Sequence, residues 1–354
     1  MNYKLFHFTE EGKIFGKIDN LKKFPNIPTK IVLFAYDDSY NILELFNKRK
    51  PYDYENTSFK IEYDDEETTL LNFKIRKNGE KEEDKDNGVF LLVLKKIPFA
   101  IMVTNVNSYH LEEKLRFFNK FYPFMSRIFF RSYEIERLLE FVEKEHKVDI
   151  FVKSYVVKRY YENPETRVCY ERTKYKQVFK IASENYLWVD SILIEIEKEG
   201  KILFEVRISR RGILSFVRAD YSKIHLWIIN KIIQGPSSMY QNILKNRSRT
   251  IDDIEPRPVK ISIIDEVFNE PQDIEQLIDI IHKSLNNWGY SILYQEGPYA
   301  FIMLHDYITG SSYEILICSK SEIFITPQTQ VTPISFNNLL NLLLDNYDGS
   351  VENA

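Results

Sequence analysis

Apolar and polar positions alternate over Phe59–Tyr63 and Leu70–Ile75, which predicts half-buried strands. Val89–Leu94 and Phe99–Val103 are continuous apolar runs and predict buried strands. Tyr3–Phe8, Lys13–Ile18 and Ile31–Tyr36 are further β-like runs, separated by turn signals such as Glu11-Gly12 and Pro25-Asn26-Ile27-Pro28. The charged stretch Asn78–Gly88 has no apolar residue and predicts a solvated hairpin tip. A helix capped by Ser108 would carry Leu111, Leu115 and Phe118 on one face. A second, capped by Ser132, would carry Ile135, Leu138, Leu139 and Val142 at helical spacing. Tyr122-Pro123 breaks the chain between them.

Val148–Tyr161 predicts a long strand, and Glu162–Glu165 a turn from which Arg167–Arg172 returns antiparallel. Leu187–Ile196, Ile202–Ile208 and Ile213–Val217 follow in quick succession. Their connections, Glu197–Gly200 and Ser209–Gly212, are short enough for hairpins, so a meander is expected. Ile224–Ile233 and Ser238–Asn246 read as helices, and Thr250–Pro258 as a linker. Beyond it, Asp273 would start a helix bearing Ile274, Leu277, Ile278, Ile281 and Leu285. Four strands follow: Ser291–Tyr294, Tyr299–Leu304, Tyr313–Cys318 and Glu322–Thr326. Ser335 would cap a last helix through Leu339, Leu340, Leu343 and Leu344, with a frayed tail from Asp348. The expected fold class is α+β, with largely antiparallel sheets and packed helices. The expected division is an N-terminal domain over 1–146, a basic meander domain over 147–249, a linker over 250–260 and a small domain over 261–354.

Composition adds bounds. With 354 residues, 44% of them hydrophobic, the chain can fill two or three cores. Cys169 and Cys318 are the two cysteines, too few for a disulfide framework or a cysteine-rich zinc site, and a reducing cytoplasm is the expected compartment. Met1–Phe8 does not read as a signal peptide. The most apolar stretch, Val89–Val103, is broken by Lys95, Lys96 and Pro98, so no membrane span is expected. Abundant Lys, Ile, Asn and Tyr fit an AT-rich genome, which discounts arguments from lysine or tyrosine counts.

Charge changes the picture most. The net charge is about −1 over 1–146, about +8 over 147–260 and about −11 over 261–354. Arginine follows the same division, with six, ten and none. A basic middle beside an acidic end suggests a polyanion surface and an acidic competitor for it. From Lys153 to Lys180, cations are interleaved with tyrosines, the mixture that tracks phosphates and stacks bases. Arginines at the last meander turn would be exposed, since a buried guanidinium needs a partner. The expected nucleic-acid contacts are Lys158, Arg159, Tyr160, Tyr161, Arg167, Arg172, Tyr175, Arg210, Arg211 and Arg218. The expected function is therefore a non-enzymatic nucleic-acid-binding component of a larger assembly with other protein subunits. The alternative is a protein-interaction or scaffold subunit whose charged faces meet complementary ones. A third reading is a metal-dependent nuclease using Asp190, Glu195, Glu197 and Glu205, where Arg207 stands in the position of a lysine. The six histidines lack metal-ligand spacing, and no glycine-rich phosphate loop or nucleophile elbow occurs, so no cofactor, metal or catalytic residue is expected.

Overall fold

The computed structural model describes residues 29–36, 58–64, 66, 68–74, 89–94, 99–104, six positions within 111–118, and then 125–160, 163–219, 258–328 and 331–353. The expected strands at 3–8 and 13–18, the charged loop at 78–88 and the helices at 224–233 and 238–246 lie outside them. The fold is α+β with antiparallel sheets, and the chain divides into two compact units. The first comprises 1–122, 127–158 and 164–237, and the second 123–126, 159–163 and 238–354. Among the described residues, no helix is long and apolar enough to cross a membrane.

The first unit is built on an eleven-stranded sheet and holds all of it except Met125 and Ser126. Its strands are β1 (Thr29–Tyr36), β2 (Ser58–Asp64), β3 (Thr68–Lys74), β4 (Val89–Leu94), β5 (Phe99–Thr104), β6 (Met125–Arg127), β7 (Asp149–Lys158), β8 (Glu165–Lys174), β9 (Trp188–Lys198), β10 (Lys201–Ser209) and β11 (Ile213–Ala219). The order is β2-β3-β4-β5-β1-β11-β10-β9-β7-β8, with β6 paired to β1. The sheet thus runs across residue 146, where the sequence suggested a boundary, because β1 pairs with β11, Ile31 opposite Leu214. Lys30–Tyr36 of β1 and all of β5 are buried, which is why Ile31–Tyr36 and Phe99–Val103 are apolar runs. Helix α1 (Ser132–His146) buries the expected stripe Ile135, Leu138, Leu139 and Val142. Its N-cap is Arg131 and not Ser132: Glu134 accepts the Arg131 N–H at 2.7 Å, while the Ser132 hydroxyl accepts from the Val189 N–H. Helix α2 (Tyr175–Glu184) was not expected, although Tyr175, Val178, Phe179 and Ala182 form a buried stripe at helical spacing.

The expected meander is present as β9, β10 and β11. Glu199 and Gly200 have φ of 52° and 74°, as the two central residues of a tight hairpin require. The other turn runs from Ser209 to Gly212, closed by the Gly212 N–H donating to the Ser209 carbonyl at 3.1 Å. Gly212 has φ of 67°, and a Cβ there would collide with the backbone carbonyl of Ile128.

The second unit holds a six-stranded sheet in the order β13-β14-β15-β16-β12-β17. These are β12 (Val259–Ile263), β13 (Trp288–Glu296), β14 (Tyr299–Asp306), β15 (Ser311–Ser319), β16 (Glu322–Pro327) and β17 (Gly349–Asn353). The expected four strands are therefore joined by two more. β12 begins inside the stretch read as a linker, and β17 occupies the tail read as frayed, with Val351 opposite Ile261. Helix α3 (Pro271–Ser284) begins two residues before Asp273, whose carboxylate accepts from the Asn269 and Glu270 N–H groups. Helix α4 (Pro333–Asn346) is capped by Thr332 rather than Ser335: the Thr332 hydroxyl accepts from the Ser335 N–H. Both helices start with proline in the first turn, where its missing donor costs nothing. Trp288 stacks on Tyr313, and Tyr313 meets Phe336 of α4, so these helices cover the face carrying Tyr313, Ile315 and Ile317.

Gly212→Ala is expected to destabilise the chain by more than about 1 kcal/mol, through both the left-handed backbone and the collision. Gly200→Ala, with open space around it, should cost only about 1 kcal/mol from the left-handed conformation. Urea unfolding of the two variants checks the order.

Candidate interaction surfaces

The register of the first sheet separates the ten expected nucleic-acid contacts into two groups. Lys158 stands opposite Trp188, near the end of the strands where Arg210 and Arg211 turn; Arg167, opposite Tyr155, lies toward the same end. Arg172 and Tyr175 lie toward the other end, where Asp149 stands opposite Glu197. Arg218 stands opposite Glu205 in the backbone register, and its side chain is outside the described residues, as is Tyr161. Arg159 is exposed and Arg211 half-buried. Tyr160 is half-buried in the second unit, its ring 5.9 Å from that of Tyr347 and its hydroxyl 3.4 Å from the Asp265 carboxylate.

Two of the ten are internal. Tyr175 is 0% exposed and donates its hydroxyl to Glu143 at 3.0 Å. Burial and that glutamate push the phenol far above its ordinary value. Its ring cannot stack a base. Arg210, expected to be exposed at its turn, is 1% exposed. Its Nε–H donates to the Phe130 carbonyl at 3.0 Å, and its guanidinium lies 5.7 Å from the Trp188 ring centre. A carbonyl acceptor and an aromatic face satisfy the buried group that the turn position seemed to leave in water.

Six of the eight cations of the Lys153–Lys180 block stand beside carboxylates. Lys153 reaches Glu205 at 2.9 Å and Glu195 at 3.9 Å. Arg167 forms two bonds to Glu165, at 3.0 and 3.1 Å. Arg172 pairs with Glu197 and lies 4.0 Å from the Phe151 ring centre. Lys174 reaches Asp149, Lys176 reaches Glu143, and Lys180 lies 3.8 Å from Glu184. Exposed pairs of this kind add little stability. They do place a negative charge beside each of these six cations, so a phosphate there would have to displace it.

Of the nuclease reading, Glu195, Glu197 and Glu205 lie toward one end of β9 and β10, whereas Asp190 lies toward the other, its carbonyl accepting from the Arg210 N–H. Glu195 and Glu205 stand opposite one another, with Lys153 against both. Arg207 is half-buried and donates to the hydroxyls of Ser154 and Ser191. Burial and a hydrogen bond to Glu197 raise the Glu195 carboxyl above its ordinary value, while Arg172 holds Glu197 below it. Among the described residues, no group of three or more acidic, histidine or cysteine side chains is placed to hold a metal ion.

A different surface emerges on the second sheet, which charge and motif reasoning missed. On the face opposite the helices, Tyr294, Phe301, Leu316 and Phe324 stand in register across four strands. Tyr294 and Leu316 are exposed and the two phenylalanines half-buried. The row ends at Lys260, paired with Glu322 at 3.3 Å and Glu352 at 3.2 Å. On β13 the row ends at Tyr294, whereas Tyr290 and Ile292, 48% and 41% exposed, stand opposite the buried Leu304 and Ile302 on the face that carries the helices, and the bulged Leu293 is 55% exposed. The alternation of β14, β15 and β16 was visible in the sequence; the apolar residues Phe301, Leu316 and Phe324 at outward positions are the signal that could have found this surface.

No protein-family model matches the chain, and no curated protein is similar to it.

Two variants test this description. Arg210→Ala should destabilise the chain by roughly 2–4 kcal/mol, from a lost charged hydrogen bond and lost packing, measured by urea unfolding. Glu195→Gln should raise the melting temperature at neutral pH. A raised folded-state pKa means that the wild type loses stability as pH climbs through and above the ordinary carboxylate range. The advantage of the variant should vanish in acid, where the wild-type carboxyl is itself protonated.

Proposed function

We propose that this chain is a protein-interaction subunit that docks a partner protein on the open face of its second sheet. The observation that carries this reading is the in-register apolar row Tyr294, Phe301, Leu316 and Phe324, exposed to half-buried on the face opposite α3 and α4. Contiguous exposed apolar surface rimmed by polar groups is the usual mark of a protein contact. Aromatic residues at its centre supply anchoring area. The rim selects the partner's charge. Residues 261–354 carry about −11 with two lysines and no arginine, so a partner presenting lysine or arginine around an apolar centre is favoured. The nucleic-acid reading draws less support, because Tyr175 and Arg210 are internal and Arg167 and Arg172 are each paired with a glutamate.

A photoreactive phenylalanine analogue at position 316, introduced in producing cells, should give a discrete protein adduct. Tyr294→Glu in the same chain should abolish that adduct with little change in melting temperature. Labelled single-stranded DNA, duplex DNA and RNA should bind no tighter than about millimolar at low salt, since six of the eight cations between Lys153 and Lys180 already stand beside carboxylates. Micromolar, salt-sensitive oligonucleotide binding lost in Arg159→Ala and Arg211→Ala would instead assign the basic stretch to nucleic acid.

A further inference from the structure

We propose that the outer edge of β13 accepts an extended segment of the partner as an added antiparallel or parallel strand, and that this segment alternates apolar residues with lysine or arginine. The inference rests on the protein-docking reading and names how the partner is held.

β13 is the terminal strand of its sheet, and among the described residues no strand pairs with its outer side. Sheet edges in monomeric proteins are normally protected by lysine, proline or covering elements. Residues 288–295, Trp-Gly-Tyr-Ser-Ile-Leu-Tyr-Gln, contain neither charge nor proline. β8, an edge strand of the first sheet, is protected. It carries Arg167, Arg172 and Lys174, and its register shifts so that residues 169–172 bulge opposite Lys153. β13 has only a one-residue bulge at Leu293, which leaves Trp288–Ile292 as a regular run.

The direction of the backbone groups in that run follows from one bond. The Tyr307 N–H donates to the Asn287 carbonyl at 3.0 Å, while Trp288 stands opposite Asp306. In an antiparallel ladder this makes Trp288 and Asp306 a non-hydrogen-bonded pair. Gly289 and Ser291 therefore direct their N–H and C=O groups toward β14. Tyr290 and Ile292 direct theirs outward. Those outward groups are what an incoming strand would bind, as in other strand-addition complexes. Beyond the bulge, Tyr294 begins the apolar row, so the docked segment would be continuous with the open face.

Charge decides the occupant. A second copy pairing the same edge would bring two acidic units together, whereas a segment with lysine or arginine between its apolar residues would be attracted by them.

The test uses the full chain and a labelled twelve-residue peptide alternating lysine and valine. Two controls accompany it: a peptide alternating glutamate and valine, and a lysine peptide with proline at every valine. The lysine–valine peptide should bind at least tenfold tighter than either. Tyr290→Pro removes an outward N–H without touching the β13–β14 ladder, and should weaken binding at least tenfold. Tyr290→Ala, which keeps that N–H, should weaken it by less. Should Tyr290→Pro fail to fold, amide exchange on the wild type decides: the peptide must slow exchange at Tyr290 and Ile292. Equal binding by wild type and Tyr290→Pro, or no slowing at those two amides, overturns strand addition. If Tyr294→Glu loses the partner adduct while Tyr290→Pro keeps it, the docking reading stands and strand addition alone falls. If neither variant affects the adduct, both fall.

Discussion

A strand at the margin of a sheet has backbone N–H and C=O groups that neighbouring strands do not satisfy, and water or another chain must do so. Two margins of this chain meet that constraint in opposite ways. At β8 the ladder is interrupted by a four-residue bulge, and charged side chains stand along the strand. Tyr170, in that bulge, is 95% exposed, but a bulged edge is a poor template for pairing. At β13 the strand before Leu293 is regular, uncharged and apolar. The same margin borders an apolar row that crosses four strands. The second unit thus combines unsatisfied backbone, exposed apolar side chains and an acidic surround in one place.

The first unit resolves its charges internally. Sheet formation brings Glu205 to Lys153 across 52 residues and Phe130 to Arg210 across 80. These partners are distant in sequence, whereas Glu165 meets Arg167 and Glu184 meets Lys180, each within a single element. A net charge of about +8 over 147–260 describes the composition faithfully. The local potential near the cations is lower, because acids from β7, β9, β10 and α1 stand beside them. Net charge argues about partners only after such pairing is counted.

Legibility followed the range of the interactions involved. The meander, the α1 stripe and the Ile274–Ile281 stripe depend on local periodicity, and the apolar spacing predicted all three. Helix α2 was equally legible from Tyr175, Val178, Phe179 and Ala182. It was overlooked because the same residues read as a basic–aromatic ligand surface. β12 and β17 were not legible in this way: each is five residues long and gains its stability by pairing with the other, about 90 residues away. The caps at Arg131 and Thr332 differ from the expected serines by one and three positions, within the ordinary uncertainty of helix ends. Tyr175 and Arg210 were placed on the surface by residue type and turn position, and only the packing around them shows otherwise. The open face of the second sheet was half visible. Alternation predicted which residues leave the core, but nothing local indicated that Tyr294, Phe301, Leu316 and Phe324 would line up.

The most direct test of this account is residue-resolved amide exchange along β13 in the free chain. The structure predicts alternation: slow exchange at Gly289 and Ser291, bonded to β14, and fast exchange at Tyr290 and Ile292, directed outward. Uniform slow exchange from 289 to 292 would mean that the edge is already paired within the chain, and would contradict the claim that β13 is open to a partner.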